Sequence, residues 1–264
     1  MSAPAKWDDL AVRLGSAGVL AIVALAVMWI GGLPFHVLVC LVCGVLLWEM
    51  AIMLVPAGRQ EARVLGLSGG IALLLAYWLP EGFALPLLFV PALVSLGQLD
   101  RRKRVFVPFA VGILLAGWGL SELRLDFGFV WMLWLALVVI ATDVFGYFAG
   151  RTFGGPKFWP RVSPKKTWSG TAAGWIAAAV VGLVFVWYTD AGLELIGISV
   201  ALSMASQMGD IAESAVKRRM GVKDSSNLLP GHGGVFDRFD GMLGAAILLL
   251  LVEQIVDFPP PPLL

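Results

Sequence analysis

The chain has 264 residues, 59% of them hydrophobic and only 14% charged, with a mean hydropathy of +0.88. Soluble domains carry about a quarter charged residues, so these polar groups could not cover a water-soluble fold of this size, and the bilayer is the expected solvent. The net charge of +1 singles out no partner, and Cys40 and Cys43, set in an uncharged apolar run, exclude a disulfide framework.

The first apolar run follows a mixed-charge start (Lys6, Asp8, Asp9, Arg13) and lacks an A-x-A-like cleavage signal, so it reads as a membrane helix rather than a cleaved leader. The stretch from Leu14 to Glu49 is too long for one helix, and Gly31-Gly32-Leu33-Pro34 splits it. Apolar runs of roughly 15–22 residues then give about nine spans. They lie near 14–31, 35–55, 65–79, 83–97, 105–120, 127–149, 171–189, 192–209 and 242–257. With nine spans, 18 of the 19 Lys and Arg residues fall on one side of the membrane, and Arg124 is the exception. Positive charge stays cytoplasmic during insertion. The expected architecture is therefore an all-α, polytopic integral membrane protein with about nine transmembrane helices and its N-terminus in the cytoplasm. Residues 1–126 form an N-terminal membrane region of about five spans. Residues 127–264 form a catalytic membrane region with cytoplasmic loops 150–170 and 210–241. A bacterial inner membrane and a site facing the cytoplasm follow as expectations.

Three segments concentrate ionisable residues at span ends. Asp143, Tyr147 and Arg151 stand at i, i+4 and i+8, one face of a helix. A carboxylate such as Asp143, after an uncharged run, costs several kcal/mol to bury unless paired or metal-bound. Next, Ser163, Lys165, Lys166 and Thr167 gather cations and hydroxyls before the span at 171, which suits a phosphate near a helix N-terminus. Without further context the same loop could simply hold topology. The third segment extends Asp210, Glu213, Ser214 and Lys217 out of the eighth span, then adds Arg218, Lys223 and Asp224. Pro230-Gly231-His232-Gly233-Gly234 follows, where glycines let the backbone approach a ligand. Asp237-Arg238-Phe239-Asp240 closes it with carboxylates at i and i+3. Asp210, Asp237 and Asp240, supplemented by Glu213 or Asp224, are the hard oxygen donors that Mg²⁺ accepts beside water and phosphate. Phosphoryl-type transfer needs little more than such a metal and cations to neutralise charge.

Ser214-x-x-Lys217-Arg218-x4-Lys223-Asp224-x-Ser226-x-x-Leu229-Pro230-x-His232-Gly233-Gly234-Val235-x-Asp237-Arg238-Phe239-Asp240 resembles the signature of the phosphatidate cytidylyltransferases, the CDP-diacylglycerol synthases, without departure over 27 positions. Asp143, Tyr147, Gly150-Arg151 and Ser163-Pro164-Lys165-Lys166-Thr167 are similar to the same family at its usual spacing. Ser169 departs, standing where the family often has Glu. The resemblance covers about residues 140–245; the first five spans share only their apolar character.

The resemblance implies that CTP and phosphatidic acid give CDP-diacylglycerol and pyrophosphate with Mg²⁺, and it raises a second, monovalent cation. It implies Asp210 and Asp237 as first metal ligands, with Asp240 and Asp143 next. Lys217, Arg218 and Lys223 would steady the triphosphate, and Arg238 belongs with this catalytic group. Ser163, Lys165 and Lys166 would hold one of the two phosphate groups. Tyr147, Arg151, Thr167, Ser214, Asp224, Gly233 and Gly234 complete the substrate-binding set. His232 is either a base or proton shuttle or a residue that hydrogen-bonds the turn. No nucleic-acid partner is expected, and a homodimer is left open. The rival readings are a CTP-dependent transferase for another lipid phosphate or polyprenol, and a secondary transporter, whose site would sit at the midplane in broken helices. His36, Cys40 and Cys43 share a face of the second span but read as core.

Overall fold

The computed structural model describes residues 18, 21–100, 102–229, 233–256 and 258. It consists of helices and one short ribbon, in the order α1 (Ala21–Ile30), α2 (Gly32–Leu54), α3 (Arg59–Ala76), α4 (Glu81–Leu87), α5 (Val90–Gln98), α6 (Lys103–Glu122), a π-helical turn (Leu123–Phe127), α7 (Phe129–Thr152), β1 (Lys157–Trp159), β2 (Ser163–Thr167), α8 (Trp168–Tyr188), α9 (Glu194–Met220) and α10 (Phe236–Glu253). Among the described residues, five helices are long and apolar enough to cross a membrane: α2, α6 with the π-helical turn, α7, α8 and α9. The chain is thus a helical membrane protein.

Backbone punctuation falls where chain chemistry demands it. Gly31 and Gly32, at φ 68° and 53°, separate α1 from α2, a left-handed geometry that side chains resist. The expected span near 83–97 is two short helices, with Pro86 inside α4 and Pro91 in the first turn of α5. α9 is longer than the sequence suggested. It runs to Met220 and stops at Gly221, φ 72°, a left-handed C-terminal cap. The expected loop 210–241 is consequently shorter, because its ends continue as α9 and α10. Within the expected loop 150–170, β1 and β2 pair antiparallel, Lys157 opposite Thr167 and Trp159 opposite Ser163. Three to five residues per strand carry too weak an alternation to read from sequence.

The chain divides into two compact units. One comprises Met1–Val111 and Val222–Arg238; the other comprises Gly112–Gly221 and Phe239–Leu264. In the first, α2 packs on α3, which also meets α4 and α5. His36 Nε2 lies 3.0 Å from the Leu73 carbonyl oxygen, and Cys40 and Cys43 are buried, which bears out their reading as core. In the second, α7, α8 and α9 pack on one another. A Cβ on Gly170 of α8 would stand 2.5 Å from the Gly146 carbonyl oxygen of α7, so small residues set this close approach. Polar side chains join α7 to α9: Trp134 Nε1 donates to Ser199 Oγ at 3.0 Å and Thr142 Oγ1 to Ser203 Oγ at 2.7 Å.

Candidate active site

In the second unit, the polar end of α7, the ribbon and α9 enclose a cavity of about 570 Å³. Asp143, Tyr147 and Arg151 line it from successive turns of α7, as their spacing requires. Ser163, Lys165, Lys166 and Thr167 line it from β2, and Asp210 from α9. Lys157 on β1 and Gln207 on α9 also line it, although neither was singled out in the sequence.

The ribbon reaches α9 through Lys166, whose Nζ is 2.7 Å from Asp210 Oδ2 and 3.1 Å from the Gln207 carbonyl oxygen. Gln207 is an organising residue: its Oε1 accepts from Trp175 Nε1 at 3.0 Å and its Nε2 donates to the Thr171 carbonyl at 3.2 Å, tying α8 to α9. Asp210 Oδ1 accepts from Ser214 Oγ at 3.2 Å, one turn on. Arg151 Nη1 donates to Tyr147 Oη at 3.0 Å. Thr167 caps α8, its Oγ1 accepting from Gly170 N at 3.3 Å. Ser169 donates to the Gly154 carbonyl at 2.5 Å, so it holds the turn leading into the ribbon.

Asp143 lies within electrostatic reach of Asp210 and Lys166. Asp240, at the start of α10, lies within reach of Asp210, Asp143 and Lys217. Three helices thus bring three carboxylates toward one region, against lysines of which Lys217 is already bonded to Glu213 at 2.5 Å. Such hard oxygen donors fit Mg²⁺, which keeps several waters and takes only one or two carboxylates plus phosphate oxygens. Among the described residues, no three His, Cys, Asp or Glu side chains are grouped closely enough to hold a metal on their own.

In the first unit, residues 222–229 and 233–235 lie between α9 and α10, with Lys223 and Asp224 exposed. Asp237 ties this loop down. Its Oδ2 accepts from Gly234 N at 2.8 Å, Ser225 N at 2.9 Å and Ser225 Oγ at 3.0 Å. Gly233 has φ 84°, and a Cβ on Gly234 would collide with Ser225 Oγ and the Glu49 carboxylate. These glycines allow the turn to close on the carboxylates of Asp237 and Glu49. Within the second unit, Ser214, Lys217, Arg218 and Asp240 do not line this cavity. His232 lies outside the described residues.

Sequence reasoning passed over Glu49, using it only to mark the end of an uncharged stretch. It is fully buried and is the sole charged residue of α2. The rule that flagged Asp143, that an ionisable group within a span is functional by default, would have found it.

The model of the cytidylyltransferase family matches residues 11–256. The chain is 38% identical over 264 residues to a phosphatidate cytidylyltransferase of Brucella suis biovar 1 (strain 1330), covering 97% of each chain. It is 32% identical over 259 residues to the phosphatidate cytidylyltransferase of Bacillus subtilis (strain 168), covering 89% of this chain and 94% of that one. Over 153 residues it is 39% identical to the enzyme of that name from Haemophilus influenzae (strain ATCC 51907 / DSM 11121 / KW20 / Rd), covering 53% of this chain and 51% of the other.

Proposed function

The chain belongs to the cytidylyltransferase family, and we propose that it transfers CMP from CTP to phosphatidic acid, giving CDP-diacylglycerol and pyrophosphate. The observation that carries this reading is the cavity in which Asp143 and Asp210 face Lys166, Lys165 and Arg151 at the polar end of apolar helices. A lipid phosphate can reach such a place without leaving its bilayer.

An oxygen of the lipid phosphomonoester attacks the α-phosphorus of CTP. The new P–O–P bond forms as the bond to the β-phosphate oxygen breaks, and pyrophosphate leaves with the electron pair. That lipid oxygen is already ionised at about pH 7, since a phosphomonoester's second pKa is about 6, so no general base is required. Mg²⁺, when bound, would neutralise charge on the transferred phosphate. Asp210 and Asp237, with Asp240 and Asp143, are the proposed ligands. Lys165, Lys166 and Ser163 hold one phosphate group, and Lys217, Arg218 and Lys223 steady the triphosphate. The topology proposed with this chemistry has nine spans, the N-terminus and polar segments facing the cytoplasm, in a bacterial inner membrane. Its support is the distribution of basic residues.

The test is incubation of the purified full chain with CTP labelled on its α-phosphate, phosphatidic acid and Mg²⁺. Label should enter lipid in step with pyrophosphate release, and a chelator should stop both. Transfer to a polyprenyl phosphate but not to phosphatidic acid would replace this substrate assignment. Lack of transfer from CTP to any lipid phosphate would end it.

A further inference from the structure

Glu49 sits in the penultimate turn of α2, in a helix otherwise free of charge, and has no solvent exposure. Both its carboxylate oxygens are turned to residues 225–236. Oε1 accepts from Ser226 Oγ at 2.6 Å and Val235 N at 2.9 Å. Oε2 accepts from Phe236 N at 2.6 Å and Ser225 Oγ at 3.2 Å. The two backbone donors lie at the N-terminus of α10, where amides have no partner within their own helix. One side chain therefore caps α10 and holds the loop before it, with the helix dipole favouring its negative charge. Burial of an unpaired carboxylate would cost several kcal/mol; three donors of its own, and the Ser225 hydroxyl it shares with Asp237, offset that here. Ser225 links this carboxylate to Asp237, since its Oγ also lies 3.0 Å from Asp237 Oδ2.

We infer that Glu49 is a positioning residue for the CTP-binding loop: through Ser226, Val235 and Phe236 it sets the conformation in which Lys223 meets the triphosphate. This rests on the proposed cytidylyl transfer. An isosteric amide cannot reproduce the site, because a glutamine presents an NH₂ to one pair of donors, and a backbone N–H cannot turn to accept. A chain that merely folded less well would lower kcat and leave both KM values alone, whereas a displaced loop raises KM for CTP and spares KM for phosphatidic acid.

The experiment compares the full-length wild type with Glu49→Gln and the milder Ser226→Ala in two readouts. In the first, Glu49→Gln should raise KM for CTP about tenfold, the effect of losing one hydrogen bond to a charged group, and Ser226→Ala about threefold, with KM for phosphatidic acid within twofold of wild type. In the second, trypsin should cut at exposed Lys223 faster in both variants, with cleavage at exposed Lys157 and Arg161 unchanged. Should Glu49→Gln fail to fold, Ser226→Ala decides. A wild-type KM for CTP in the folded variants overturns the inference, and so does cleavage that rises equally at all three sites. Should the wild type itself transfer no CMP, the activity falls, and the cleavage pattern alone still decides whether Glu49 holds the loop.

Discussion

Lys166 comes from the ribbon to Asp210, and its ammonium makes contact with α9 twice, at a carboxylate and at a carbonyl oxygen. Its side chain is 22% exposed and that of Asp210 is 35% exposed, so both stay open to the cavity they line. Lys166→Met should lower kcat/KM for CMP transfer by roughly 10- to 100-fold, the effect of one lost charge-assisted contact. Lys166→Arg should retain more activity than Lys166→Met, because it keeps the charge. Equal loss in both would tie the residue to shape rather than charge. The placement of Asp143, Tyr147 and Arg151 on one face was legible because helical spacing alone puts them there. The partners of Glu49 were not legible, since every one lies at least 176 residues away.

At the scale of elements, apolar length located the helices well, and glycine chemistry located their ends. It did not reveal that Gly146, Gly150 and Gly170 serve packing rather than turns. A Cβ on Gly170 would press on the α7 backbone, so Gly170→Ala should destabilise the protein by about 1–3 kcal/mol, the usual cost of overpacking. Gly197→Ala on α9 meets nothing within 4 Å and should be neutral, or stabilising by up to about 1 kcal/mol from helix propensity. Thermal denaturation in detergent, followed by tryptophan fluorescence, separates the two. Equal midpoints would mean that α7 and α8 can move apart freely. The ribbon and the full length of α9 escaped the sequence for related reasons. Short strands lack periodicity, and the charged last turns of α9 look like a loop until Gly221 is seen to end it.

For the molecule as a whole, the charge distribution makes a topological prediction. In a chain with Cys40 and Cys43 replaced by alanine, Arg161→Cys should react with an impermeant maleimide only from the cytoplasmic face. Asp190→Cys, beyond the other end of α8, should react only from the opposite face. Reaction of both from one side would mean that α8 does not span. By itself, the sequence determined that the chain is a helical membrane protein, roughly where its helices run and which residues are candidates for its chemistry, because hydropathy, helical period and a contiguous signature are all local properties. Only the tertiary structure decided that a glutamate of α2 caps α10, that residues 222–238 fold into the unit of the N-terminal helices, and that a two-stranded ribbon delivers Lys166 to Asp210. Those outcomes depend on pairing between groups far apart in the chain, where burial makes an unmatched charge costly and no repeat in the sequence records which partner relieves it.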